Sequence, residues 1–460
     1  MFDNYREEIE KLLKSIDGYG EVRLERREWL SISVKNGIVE SFSKKIDMGG
    51  FVRVLLNGHG WGVATFNKFD DLKKSFADAV DASKIIIPDE KIRIVESEPI
   101  SAVVENVMDD PFDSHTEKEK VDMLLRYNDI IRSDSDKIIL ASNIYSDWRI
   151  DKLYMNSFGI SVEHRITDGI VYATARSRKG DDVQQYTSGW SNRQKFSVLN
   201  SLDDKVKKVK DIAVRLLDAK PIKGGNYTVV LDPLLAGVFI HEAFGHLSES
   251  DFILENPQAQ QMMTLGRRFG PSFLNIIDDG TVKPELHGTI IYDDEGVPAQ
   301  KTYLVEHGVL VGRLHNRETA SKLGENLTGN ARAQSYRNVP LVRMTNTAIE
   351  AGPHTKDEIF SDIKEGVYAI DAYGGQTMLE NFSFSASYGF MIHNGEIGEM
   401  VRDVVLQGNL FDTLAHIERV ANDFKWGKWA GNCGKGGQMV PVDTGAPHIR
   451  IKNVTIGGKK

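Results

Sequence analysis

Three titratable side chains break an otherwise apolar stretch. His241, Glu242 and His246 follow Leu234-Leu-Ala-Gly-Val-Phe-Ile240. Asp232 and Pro233, just before it, predict a helix start, with the aspartate as N-cap and the proline as first helical residue. A helix without charge from Leu234 to Ile240 is expected to be buried. Polar groups buried with it would cost roughly 2–7 kcal/mol each if left without hydrogen bonds. A divalent metal is the simplest compensation. The bland alternative is two core histidines, each bonded to a backbone carbonyl.

The spacing departs from the common zinc-protease pattern, in which two histidines stand four apart on one helical face. Here they stand five apart, which on a regular helix separates them by about 140° instead of about 40°. A local π-type widening would bring the rings together, and such widenings concentrate at functional sites. Gly245, directly before His246, would ease that distortion or end the helix. A catalytic zinc needs a third protein ligand and an open fourth position. Cys433, the single cysteine, ranks first, because it sits among glycines and near Lys435, which would favour its thiolate. Glu249 ranks second and Asp251 third. The glycine loop around Cys433 lacks the spacing of a phosphate-binding loop.

The chain has 460 residues, 41% hydrophobic and 27% charged, ordinary for a globular protein of two or three domains. Its net charge of −9 argues against nucleic acid or an anionic membrane as main partner. The polar N-terminus does not read as a signal peptide. No apolar run approaches the ~18 residues of a membrane helix. One cysteine permits no internal disulfide, and a cytoplasmic location is the default expectation.

The elements that must position these residues read as α+β. Ile9, Leu12, Leu13 and Ile16 have helical spacing. Asn36-Gly37 and Asn57-Gly58 each predict a hairpin turn between alternating strands. Helices are expected over about 70–83 and 203–218, and Ser114-His-Thr-Glu117 suggests a capping box ahead of Val121. Strands are expected from Ile138 to Ala175, with a turn at 156–159, and loops at Gly180–Asp182 and Thr187–Gly189. Residues 95–113 look like a connection. The main boundary is placed near 222. This leaves an N-terminal α+β domain at 1–222, with a sub-boundary near 95–113, and a strand-rich domain at 223–460 that carries the metal-binding helix. In that second part, strands are expected at 275–277, 289–292, 303–305 and 309–314. Asp293-Asp-Glu-Gly296 reads as an acidic turn, not a calcium loop. His307, His315, His393 and His448 are each read as surface or core histidines. The terminal residues 457–460 are expected to fray.

With these residues in view, the chain resembles the TldD branch of the TldD/PmbA family. The resemblance rests on Asp232-Pro-Leu-Leu-Ala-Gly leading to His241-Glu-Ala-Phe-Gly-His246, paired with Cys433-Gly-Lys-Gly-Gly-Gln-Met-Val-Pro441. Asp278-Asp-Gly280, Asp293 to Gln300, Arg343-Met-Thr-Asn346 and Val52-Arg-Val support it. It implies a zinc metallopeptidase that cuts short or unfolded peptides inside a dimeric chamber, as a homodimer or with a PmbA/TldE-type subunit. It also implies one zinc per chain held by His241, His246 and Cys433, and a zinc-bound water activated by Glu242 as general base. Tyr388 and His393 are candidates for stabilising the oxyanion. The family's association with gyrase modulation finds no direct DNA-binding support in this acidic chain. Two other classes stay open: a non-catalytic regulatory protein with a structural metal, and a metal-dependent hydrolase of a non-peptide amide or ester.

Overall fold

A computed structural model describes residues 1–427 and 429–457, except the side chain of Met378. Apart from Gly457, the last predicted frayed residues lie outside this range. The architecture is α+β. The N-terminal half is built on one long antiparallel meander. Helix α1 (Asp3–Lys14) leads into β1 (Gly18–Lys35) and β2 (Ile38–Leu56). Their turn is Asn36-Gly37, both at positive φ (49° and 80°), which matches the twist of a two-residue hairpin. After β3 (Trp61–Phe66) and α2 (Leu72–Ile85), a short strand β4 (Ser101–Glu105) lies inside the predicted connection. It pairs parallel to β6 (Ser161–Lys179), a long-range contact that no local pattern announces.

Helix α3 (Glu117–Arg132) starts later than expected. The capping box is Thr116 with Glu119, whereas Ser114 bonds back to the Pro111 carbonyl. Strand β5 (Ile138–Asn156) runs unbroken, and β7 (Asp182–Asn192) carries straight through the predicted loop at Thr187–Gly189. Cross-strand pairing with β6, including Tyr172 opposite Gly189, overrides the turn-forming residue types there. The sheet order is β3-β2-β1-β5-β6-β4, with β7 also on β6. Two short helices, α4 (Phe196–Leu199) and α5 (Asp203–Leu216), follow. With α3, α5 covers one face around Ile32, Tyr127, Val171 and Val209. The other face looks toward the second half.

The second half is strand-rich, with two main sheets around helix α6 (Pro233–Ile240). In the larger, Glu365–Met378 pairs with both Gly225–Leu231 and Asn381–His393, so the strand path closes on itself. In the smaller, Ile276–Asp279, Asn346–Ile349 and Gln438–Ala446 lie side by side, the last two parallel. Residues 289–292 are not a strand but a wall segment. The strand predicted at 309–314 shrinks to Val309–Leu310. One large core, including Phe239, Phe244, Phe382 and Phe384, lies around α6. Among the described residues, no helix is long and apolar enough to cross a membrane.

Candidate metal centre

Helix α6 begins as its sequence dictates. The Asp232 carboxylate accepts from the Leu235 amide at 3.0 Å, and Pro233 opens the first turn. The helix then widens into a π turn over His241–Gly245, closed by the His246 amide donating to the His241 carbonyl. This is the distortion that the five-residue spacing calls for. A tighter 3-10 turn, His246–Ser248, ends the segment. Gly245 is required by contact: a Cβ there would lie 2.0 Å from the Met344 sulfur. The two imidazole rings meet edge to face, with centroids 5.5 Å apart and planes at 77°.

Cys433 arrives from the strand Gly431–Lys435, one arm of a hairpin with Gln438–Ala446. Its Sγ lies 3.3 Å from His246 Nε2, across 187 positions of sequence. One donor atom from each of His241, His246 and Cys433 falls within 4.8 Å of the others. His241 Nε2 is buried without a hydrogen-bond partner. Two imidazoles and a thiol form a borderline-soft donor set of the kind zinc takes, and the orphaned nitrogen is what a ligand atom awaiting a cation looks like.

Each ring is held from its other nitrogen, as metal-binding histidines usually are. His241 Nδ1 lies 3.2 Å from Thr347 Oγ1, which itself donates to Asp278. His246 Nδ1 lies 3.1 Å from Glu249 Oε2. Glu249 and Asp251, ranked behind Cys433 as ligands, stand instead in an outer layer. Lys435 bridges them, at 3.0 Å and 2.6 Å. This corrects the expected role of Lys435, whose charge is spent on these carboxylates. Burial alone would push the Cys433 thiol up, but His241 and His246 bring it down to about 4. Burial lowers both histidines, yet His241 is raised on balance by Cys433, and His246 is raised well above its usual value by Glu249 and Cys433. Without a cation the cluster therefore favours thiolate beside imidazolium, and metal binding would release the imidazolium protons. Arg343 donates to the Cys433 carbonyl at 2.5 Å and to the Gln438 carbonyl at 3.2 Å, tying the hairpin down.

Glu242 is one-third exposed, with its carboxylate 3.7 Å from His246 Nε2. It borders the cluster without filling it. Tyr388 is buried against Tyr186, and His393 is exposed and paired with Glu399, so neither is brought to the donors. Thr347, Asp278 and Arg343 were not read as site residues. Asp278 and Arg343 open the blocks Asp278-Asp-Gly280 and Arg343-Met-Thr-Asn346, and Thr347 directly follows the second, but isolated polar residues in strands do not announce which nitrogen they will hold. His307, His315 and His448 bond elsewhere, to Ser272, Glu325 and Asp423.

Models of the PmbA/TldA metallopeptidase match almost end to end: domain 1 over residues 20–86, the central domain over 110–217, and the C-terminal domain over 224–458. The chain belongs to the PmbA/TldD family of metallopeptidases. Within that family it is 42% identical to a metalloprotease of Synechocystis sp., over 95% of this chain and 94% of that one. It is 32% identical to a zinc metalloprotease TldD homologue of Saccharolobus solfataricus, over 90% and 91%. The fold is shared with TldE of Thermococcus kodakarensis (TM-score 0.79, 19% identity, 98% and 99% covered). It is also shared with a Thermotoga maritima protein described as a candidate modulator of a DNA gyrase (TM-score 0.82, 22% identity, 99% and 100% covered). The family and the names of these relatives support a metallopeptidase.

Proposed function

We propose that this chain is the zinc-holding, catalytic subunit of a cytoplasmic peptidase that hydrolyses short or unfolded peptides. His241, His246 and Cys433 would hold one zinc per chain. The convergence of these three donors, with Glu242 beside them, carries the reading. Zinc bound there would act as a Lewis acid toward the scissile carbonyl. Glu242 takes the proton of the attacking water and delivers it to the leaving amine. Its partial exposure suits that task, since substrate and water must reach it. Thr347 and Glu249 keep the rings oriented. Glu249 is committed to His246 and Lys435, which favours a site with an open position over a closed structural one.

The reading places the site in a C-terminal unit, 223–460, behind an N-terminal unit, 1–222. It also calls for a dimer, of this chain or with a TldE-type subunit, that encloses the site; the shared fold with a TldE supports such a pairing. Light scattering should give a dimer, and folded proteins should be cut far more slowly than unstructured peptides. A monomer that degrades both alike would remove the chamber. The central test is Glu242→Gln. Zinc content and fold should survive while peptide hydrolysis falls by at least roughly 10²-fold. Equal activity in variant and parent removes Glu242 from the reaction. A zinc-loaded, assembled parent that cuts no peptide overturns the peptidase reading.

A further inference from the structure

On the other side of the Cys433 hairpin lies a half-open cavity of about 760 Å³. One wall is the free face of the first sheet. Trp29 stands opposite Trp148, and Ile150 opposite Ile166, so strand alternation puts all four on that face. All four line the cavity and are only half-buried. The facing wall belongs to the second half and includes Asn432 and Pro441. These two are paired with each other, one step along the hairpin from the Cys433–Val440 pair, and so point away from the thiol. Val440, the pairing partner of Cys433, also lines the cavity, which thus reaches the ribbon that carries a metal donor without including the donors themselves.

Most of its charges are paired. Arg27 is held by Glu25 and Arg337 by Asp47. Lys152 is held by Asp294 at 2.5 Å, and Arg193 by Asp168 at 2.8 Å. Arg332, only 6% exposed, has no carboxylate at ion-pair distance among the described residues. It donates to the carbonyls of Met344 at 2.5 Å and Pro441 at 2.7 Å. Burial and the neighbouring Arg343 lower it to about 10, while Asp294 and Asp278, beyond pairing distance, pull the other way. Burial and Glu295 push Asp293 up, and its oxygens are taken by the amides of Glu295, Val297 and Ala331. His164 also lines the cavity, 4% exposed, with a buried Nε2 that has no partner. An apolar, aromatic wall, a guanidinium without a directly paired carboxylate and an unpartnered imidazole make a site for an apolar body ending in one negative charge.

We propose that this cavity binds the C-terminal carboxylate of a short peptide, with the peptide's terminal apolar side chain lying on the Trp29–Trp148 wall. The choice of a peptide rests on the peptidase reading above; the choice of a carboxylate rests on the cavity alone. A phosphate, with up to two charges, would ask for more than the single guanidinium that lacks a directly paired carboxylate. Held there, a peptide is gripped on the far face of the hairpin from the donors, at a site separate from the scissile position.

The test titrates zinc-loaded, full-length Glu242→Gln chain with the tetrapeptide Ala-Ala-Leu-Phe as free acid and as C-terminal amide. Binding is read by calorimetry and tryptophan fluorescence. The acid should bind about tenfold tighter than the amide, since one charge-assisted hydrogen bond is lost in the amide. Ile166→Trp should fill the wall and abolish binding of both. His164→Leu should weaken the acid and leave the amide unchanged; it breaks no hydrogen bond in the fold, so it carries the test if Ile166→Trp does not fold. Equal affinity for acid and amide overturns the carboxylate site. So does a folded Ile166→Trp that binds the acid like the parent, or a His164→Leu that changes neither ligand. If the parent cuts no peptide, the peptidase reading fails, while the titration still decides whether the cavity takes a carboxylate.

Discussion

Two of the histidine clusters in this molecule are built differently. In the first, His241, His246 and Cys433 point donor atoms at one another, and the groups that neutralise the cluster stand behind the rings. In the second, Asp168 joins His287 and Arg193, and His287 Nε2 alone of the ring nitrogens is left without a partner. Asp168 Oδ2 takes both His287 Nδ1 and Arg193 Nε at 2.8 Å. Arg193 then spends its remaining donors on the carbonyls of His287 and Thr289. Asp168 lies on β6 and His287 in the second half, so this cluster joins the two halves of the chain. Both clusters are buried and both contain histidine. What separates them is convergence: a cluster joined through one carboxylate oxygen ties the two halves together, and one whose three soft donor atoms point at a common centre is open to a cation.

The strongest test of this contrast removes a converging donor. Cys433→Ser or His241→Ala should weaken zinc retention by more than the ~10²-fold that marks the upper end for losing an outer partner. Dialysis against a chelator followed by metal analysis measures it. If Cys433→Ser holds zinc as tightly as the parent, Cys433 is not a ligand, and Glu249 becomes the better choice. Next, Glu249→Gln should lower zinc affinity by roughly 10–100-fold, because it loosens His246 without removing a donor. An unchanged affinity would show that His246 needs no orientation from this carboxylate.

The second cluster should respond in the opposite sense. Asp168→Asn should leave zinc content unchanged but cost about 3–5 kcal/mol of stability, since it strands a buried guanidinium. Denaturant unfolding reads this, and a loss of zinc in a folded variant would erase the distinction between the clusters. The smallest effect is in pH. Burial alone would raise the Asp168 carboxyl, but His287 and Arg193 pull it below its ordinary value. A depressed folded-state pKa means the unfolded chain binds the proton first. The stabilisation is therefore complete above about 3.9 and is lost as pH falls from there through the folded value. The acid limb of the parent's stability curve should be steeper than that of Asp168→Asn over that window. Parallel limbs would take Asp168 out of the acid response.

Much of this was legible in the chain, for local reasons. Asp232-Pro233 set a helix start, Asn36-Gly37 a hairpin, and the five-residue histidine spacing a π turn, because each depends on backbone geometry within a few residues. The pairing of the histidine motif with the cysteine motif was enough to suggest the family. What the sequence could not decide is long-range. Cys433 meets His246 only because a hairpin docks in one register, and a slip of one residue would turn the thiol to the cavity side. The same docking sends Lys435 to Glu249 and Asp251 and not to the thiol, and it places behind the rings two carboxylates that the sequence ranked as ligand candidates after Cys433. The parallel pairing of β4 with β6 and the unbroken run of β7 were hidden for the same reason: strand pairing is settled by partners far along the chain, and residue type alone carries only a weak preference for it.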